Sequence, residues 1–211
     1  FQDFKIHLAK DLVPFENIIH EDIAKEDDVP TIVKKVFSSD IAALGDTLAL
    51  LDMEQFEKAV DAIADAKRVE FYGLGNSASV GIDAAYRFLQ IGVSSKAVVD
   101  AHVQVVSAGF LTEEDVAVGI SHTGESKETV DAMRYAKLSG AVTIAITSFP
   151  RSHIAKYSDI ILLSASRETA FRVEAVSSRI AQLSIVDALV VAVAMKKFNT
   201  TKVAYEKSIR A

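Results

Sequence analysis

The 211-residue chain contains no cysteine, and its basic residues are outnumbered by acidic ones, 23 against 29. The lack of cysteine excludes disulfides and thiol chemistry, and it fits a reducing cytoplasm, which is the location we expect. The net charge of −6 argues against this chain, by itself, binding nucleic acid or an anionic membrane. We therefore expect no membrane partner.

Long hydrophobic runs are also scarce. The longest, 183–195, is short for a membrane span and carries Asp187, so we interpret it as part of a buried helix. No signal peptide is recognisable at the start of the sequence. Half of the residues are apolar, which is enough for a packed core, and the length favours one globular domain with additional helices.

Two short polar loops are the most informative feature of the chain. Residues 73–79 (GLGNSAS) follow the segment 68–72 (RVEFY), and residues 121–126 (SHTGES) follow 116–120 (VAVGI). Each loop lies between a predicted strand and a predicted helix, where hydroxyls and backbone N–H groups favour an anion. The two loops can converge on one ligand if their strands are neighbours.

From residue 68 onward, short apolar stretches alternate with helical patterns. We predict strands at 68–73, 95–99, 115–120, 142–147 and 159–163, with helices at 77–90, 102–109 and 126–138 and a short turn near 152–156. This order predicts an α/β fold, a five-stranded parallel sheet with helices on both faces. With right-handed crossovers and strands 1 and 3 adjacent, the strand order is 2-1-3-4-5, as in flavodoxin. Both polar loops then lie where the order reverses, which is where ligands bind in such sheets.

Further helices flank the sheet region. Residues 31–51 and 52–67 are predicted helices, with Asp52 and Gln55 forming a capping box at the start of the second. A long helix is predicted at 171–198, followed by a short one near 201–210. The apolar positions of 31–51 and of the long helix exceed what one small sheet needs, so we predict a homodimer or homotetramer.

The second loop predicts a phosphate site. Ser121, Thr123 and Ser126 place three hydroxyls within six residues, and Gly124 lets the chain turn between them. Hydroxyls and N–H groups can surround a phosphate without a fixed positive charge. Helix capping is the structural alternative, but it needs only one hydroxyl.

The first loop allows two interpretations. Gly73 and Gly75 permit a close backbone approach to a phosphate, and Ser77 adds a hydroxyl at the helix start. The same glycines and Ala78 also fit the dinucleotide fingerprint G-x-G-x-x-G/A, with Asp100 placed as a ribose-binding acid. The second polar loop, which a dinucleotide site does not require, argues against that alternative.

Three titratable residues are predicted near the same rim. His102 and His122 could change charge near neutral pH, although they lack a third ligand at metal spacing and solvent-exposed histidines are the plain alternative. Glu174, at the start of the long helix, has the chemistry of a general base beside a sugar carbonyl. It could equally bind a sugar hydroxyl or favour the positive end of the helix dipole.

From about Val69 to Ala194 the sequence resembles a sugar isomerase (SIS) domain, on the motifs 73–78 (GLGNSA) and 120–126 (ISHTGES). In SIS domains these two loops hold the phosphate of a phosphosugar. The resemblance assigns that role to Ser77, Ser121, Thr123 and Ser126. We add Gly75, Asn76, His122 and Glu174 as candidate ligand-binding residues.

A narrower resemblance is to RpiR-type transcriptional regulators. It rests on 177–183 (SSRIAQL) with Asp187, and on 1–5 (FQDFK), which resembles the last helix of their helix-turn-helix domain. The resemblance implies that 1–30 is the end of a DNA-binding domain and an acidic linker, and that 31–211 is the phosphosugar-binding SIS domain. Most of the DNA-binding domain would be missing, so DNA would be bound only through that missing part.

We therefore expect an effector domain without enzymatic activity, cofactor or metal. It would bind a phosphosugar, or a phosphorylated sugar acid or amino sugar, and transmit its occupancy through residues 1–50. A phosphosugar isomerase with Glu174 as general base is the main alternative, and a dinucleotide-binding enzyme is the third. The acidic linker and the Ser-Ser-Arg motif favour the regulator.

Overall fold

The computed structural model describes residues 23–24, 26–165 and 176–210. The strands in this part are β1 (Arg68–Tyr72), β2 (Ser95–Val98), β3 (Asp115–Ile120), β4 (Val142–Thr147) and β5 (Ile160–Leu163). The helices are α1 (Val29–Leu50), α2 (Met53–Asp65), α3 (Asn76–Gln90), α4 (Ala101–Ala108), α5 (Lys127–Leu138), α6 (His153–Lys156), α7 (Val176–Lys196) and α8 (Phe198–Arg210). All strand pairs are parallel and their order is β2-β1-β3-β4-β5, which confirms the predicted fold.

Several predicted elements lie outside the described residues. These are the helix that 1–5 resembles, most of the acidic linker and the first part of the predicted long helix, including Glu174.

Local side-chain chemistry explains where the first two helices begin. α1 starts at Val29 because the Asp28 carboxylate accepts the N–H of Thr31 at 3.0 Å, and Pro30 fits a first turn that needs no N–H partner. The predicted capping box forms only in part. Asp52 accepts the N–H groups of its helix, but the Gln55 side chain accepts the N–H of Ile161 in β5.

Two apolar layers enclose the sheet. The layer on the side of α2, α3 and α7 includes Phe71, Phe88 and Ile185, and the layer on the side of α4 and α5 includes Tyr72 and Met133. By length and composition α7 could cross a membrane. Its residues Ile185, Leu189 and Val193 are nevertheless buried in the first layer, as in the core helix of a globular protein.

Candidate functional site

The two polar loops leave neighbouring strands at the same end of the sheet. β1 pairs with β3 so that Tyr72 lies opposite Gly119. β1 ends at Tyr72 and β3 ends at Ile120, one residue beyond the partner of Tyr72. Gly73 and Ser121 therefore leave the sheet at nearly the same level, on strands about 5 Å apart. The strand order reverses between these two strands, so the loops flank one crevice at the carboxyl end of the sheet.

In the second loop two hydroxyls face each other beside a helix N-terminus. Ser121 is buried, and its Oγ accepts the N–H of Gly124 at 3.1 Å and lies 3.3 Å from the Oγ of Ser126. Ser126 is the N-cap residue of α5, yet within the described residues its hydroxyl approaches Ser121 instead of bonding an N–H of the first turn. The partial positive charge of that helix end lies beside both hydroxyls. We call Ser121, Thr123 and Ser126 the hydroxyl cradle.

The helix α6 supports the second loop from behind. The carbonyl of Gly124 accepts the N–H of Ile154 at 3.0 Å. The Glu125 carboxylate accepts the N–H of His153 at 3.0 Å and also pairs with the Nδ1 of that residue. Burial by itself raises the pKa of Glu125, but the bonds from His153 outweigh it and hold that pKa below its usual value.

A buried glutamine holds the first loop. The Nε2 of Gln104 in α4 donates to the carbonyl of Gly73 at 3.0 Å, and the Thr129 hydroxyl donates to its Oε1 at 3.5 Å. Gln104 is fully buried. The sequence did not indicate this residue, because one glutamine within a helical pattern carries no signal until its burial and its partner are known.

The predicted ligand residues differ in exposure. Ser121 is buried, Ser77, His122 and Ser126 are half-buried, and Gly75, Asn76 and Thr123 are exposed. Thr123 Oγ1 accepts the N–H of Glu125 at 3.2 Å. The structure places these seven on the two loops that flank the crevice or, for Asn76 and Ser77, in the first turn of α3, whereas Glu174 lies outside the described residues.

Asp100 has a structural role that the dinucleotide hypothesis did not consider. Its carboxylate caps α4, accepting the N–H groups of His102 and Val103 at 3.0 Å each. His102 is exposed. An N-cap accounts for an acid at this position without a ribose.

His122 belongs to a hydrogen-bonded row that the sequence did not predict. Its Nδ1 lies 3.0 Å from the Oγ of Ser148, which lies 3.0 Å from the Oγ of Ser164. These residues directly follow β3, β4 and β5 or lie one position beyond, so the row runs along the carboxyl edge of three strands. The Phe149 ring packs edge-on against His122, with centroids 5.7 Å apart.

A pocket of about 520 Å³ lies beside this row. Its lining residues are Asp46, Ala49, Leu50, Ser148, Phe149, Ser164 and Ala165. One wall is thus the last turns of α1, and the other is formed by the segments that follow β4 and β5.

Comparison with known proteins identifies the family. The SIS domain model matches residues 62–192, more than half of the chain. The chain belongs to the SIS domain family. An HTH-type transcriptional regulator of Caldanaerobacter subterraneus is 40% identical over 199 residues, which are 94% of this chain and 71% of the relative. The Escherichia coli regulator RpiR is 30% identical over 193 residues, 92% of this chain and 65% of the relative. The predicted resemblance to RpiR-type regulators is therefore confirmed.

Solved structures share this SIS fold. The Vibrio vulnificus NanR protein complexed with ManNAc-6P superimposes with a TM-score of 0.84 at 24% identity, over 100% of this chain and 74% of that one. The phosphoheptose isomerase of Neisseria gonorrhoeae superimposes with a TM-score of 0.69 at 18% identity, over 80% of this chain and 100% of that one. At such identities the likeness establishes the fold alone, and the fold serves both a regulator and an isomerase.

Two loop glycines provide a matched test of the site geometry. Gly75 and Gly124 both have positive φ, +55° and +68°, so alanine strains either backbone by about 1–3 kcal/mol. A Cβ at Gly75 meets open space, but one at Gly124 would lie 2.2 Å from the Oγ of Ser152. We expect Gly124→Ala to lower the free energy of unfolding by roughly 1–3 kcal/mol more than Gly75→Ala, because it also overpacks the loop. Urea denaturation measures both, and equal losses would contradict the close contact with Ser152.

Proposed function

We propose that this SIS domain is the phosphosugar-sensing effector domain of a transcriptional regulator of sugar metabolism. The observation that carries the proposal is the hydroxyl cradle, where a buried Ser121 faces Ser126 at the N-terminus of α5. Such a site offers hydroxyl and N–H donors to a phosphate without a fixed charge. The naming of relatives as regulators, and the ManNAc-6P complex of NanR, support the same function.

We assign distinct parts of the ligand to distinct residues. Ser77, Gly75 and Asn76 close the phosphate site from the first loop, and the cradle closes it from the second. His122 adds a ring N–H donor to the phosphate site, and Glu174 serves the sugar. Residues 1–30 are the end of a DNA-binding domain and its linker, and 31–211 are the effector domain. The chain spans 71% of the length of the Caldanaerobacter relative, and we assign the DNA-binding part to the remaining length of a longer parent protein.

The isomerase is the competing function, because SIS folds also serve enzymes. The regulator relatives favour a sensor. A sensor requires differential affinity between two states and no bond-making step.

The cradle assignment predicts a loss of ligand affinity. A phosphosugar panel screened by thermal shift selects the ligand, and calorimetry then measures its affinity. Ser121→Ala and Thr123→Ala should each weaken binding by about 0.5–3 kcal/mol, since each removes a donor to a charged group. Ser208→Ala, which removes an exposed hydroxyl of α8, should leave the affinity unchanged. Full affinity in both cradle variants would exclude this site.

The sensor assignment predicts binding without turnover. With the selected phosphosugar in D2O, we expect no deuterium at carbon by NMR, because no base abstracts a carbon-bound proton. Exchange that disappears in Glu174→Gln would instead establish an isomerase with Glu174 as the base.

We also propose a homodimer or homotetramer that covers an exposed apolar stripe on α1. Val33, Phe37, Ile41 and Leu48 recur at helical spacing and are 49–69% exposed. A closed assembly of identical chains is the commonest way to cover such a stripe. We expect Ile41→Glu to lower the mass measured by light scattering, because a charge would be buried. Ser94→Glu, at an exposed position directly before β2, is the matched control, and a monomeric wild-type chain at micromolar concentration would contradict the proposal.

A further inference from the structure

A chain of contacts connects the hydroxyl cradle to α1. His122, within the second loop, contacts Ser148, and Ser148 contacts Ser164, through side-chain atoms 3.0 Å apart in each case. The next residue, Ala165, donates its backbone N–H to the Oγ1 of Thr47 in α1 at 2.9 Å. Ala165 and Thr47 are each at most 5% exposed, so water does not compete for the bond between them.

The second loop is also tied to β4 through its backbone. The carbonyl of His122 accepts the N–H of Ser148 at 3.0 Å and the hydroxyl of Thr147 at 3.1 Å. The carbonyl of Thr147 in turn accepts the N–H of Ser164 at 3.0 Å. A displacement of the loop therefore moves Ser148 and Ser164 with it, because backbone and side-chain bonds join the same residues.

Thr47 is one of the buried positions through which α1 is anchored within the protomer. Ala43 and Thr47 are the buried residues of α1, a helix that lies wholly within the described range. Much of its remaining apolar surface, including Phe37 and Ile41, is exposed. α1 also packs against α7, and the bond from Ala165 adds a buried hydrogen bond that links it to the segment after β5.

The row of side chains can adopt two hydrogen-bond directions. If the Nε2–H of a neutral His122 donates to a phosphate oxygen, its Nδ1 becomes an acceptor. Ser148 must then donate to His122, and Ser164 is left to donate to Ser148. A ligand thus selects one of two arrangements of a partly buried network, whose last member Ser164 precedes the Ala165 bonded to Thr47, and such a two-state element can couple two sites.

We propose that Thr47 is the positioning residue through which occupation of the cradle stabilises α1, by way of His122, Ser148, Ser164 and the N–H of Ala165. This inference rests on the proposed function and adds the route by which ligand binding at the cradle affects α1. Thr47 does not touch the ligand. It fixes α1, the helix that leads toward the N-terminal part of the chain, to the last member of the row.

The test uses inorganic phosphate as the probe and hydrogen–deuterium exchange as the readout. Peptides covering 121–127 report the cradle, those covering 29–50 report α1, and those covering 53–65 in α2 are the internal reference. Sodium phosphate is compared with sodium chloride at equal ionic strength. In the wild-type chain we expect phosphate to slow exchange in the cradle and, by about fivefold, in α1, in keeping with usual coupling between sites.

Thr47→Val and Thr47→Ser form a matched pair. Valine keeps the shape but removes the acceptor for the Ala165 N–H, whereas serine keeps the hydroxyl. We expect phosphate to protect the cradle in both variants but to slow α1 exchange only in Thr47→Ser. A purely structural role would raise α1 exchange in Thr47→Val by the same factor with and without phosphate.

Ser148→Ala keeps the test decisive if Thr47→Val unfolds α1. It cuts the row of side chains but retains the backbone bonds and the Thr47 bond, so at phosphate concentrations that saturate its cradle the α1 response should be smaller than in the wild type. An α1 response as large as that of the wild type in Thr47→Val or Ser148→Ala overturns the coupling alone. Absence of cradle protection in the wild type overturns the proposed phosphate site, and the coupling with it.

Discussion

The parallel pairing of β1 with β3 is the constraint on which the site depends. Its register places Tyr72 opposite Gly119, so the two polar loops leave the sheet at the same level. The same register puts Val69 and Phe71 into one apolar layer and Glu70 and Tyr72 on the other face. A slip by one residue would exchange these faces and bury the wrong side chains, so core packing also fixes the loops.

A buried carboxylate reinforces this arrangement below the first loop. Glu70 is fully buried, and its Oε2 accepts the hydroxyls of Tyr72 at 2.9 Å and Ser107 at 2.6 Å. Burial and the charge of Glu70 raise the pKa of Tyr72, which keeps its hydroxyl protonated as a donor. Lys96 lies 3.2 Å from Oε1 and compensates the charge. A buried carboxylate is tolerated only when it is paired. Because Ser107 belongs to α4, Glu70 ties β1 to this helix, whose Gln104 also donates to the carbonyl of Gly73.

The sequence predicted what depends on order along the chain and missed what depends on packing. Alternating strands and helices with right-handed crossovers determine the strand order and hence the position of both loops. The roles of Gln104, Ser148 and Ser164 depend instead on partners 31, 26 and 16 residues away. The capping box shows the same limit, since its spacing was correct but Gln55 found a partner in β5.

Sensors and isomerases share this fold, so the features that distinguish them must lie in the elements around the sheet and its two loops. In this chain α1 supplies one wall of the pocket beside His122, and it is also the helix nearest to the expected DNA-binding part. A rigid wall would serve an enzyme, because catalysis needs fixed geometry. A wall joined to the site through the bond between Ala165 and Thr47 can receive part of the binding energy of a ligand. That division of energy between ligand and helix is what the proposed sensor requires, whereas an isomerase would spend the same binding energy on the reacting atoms.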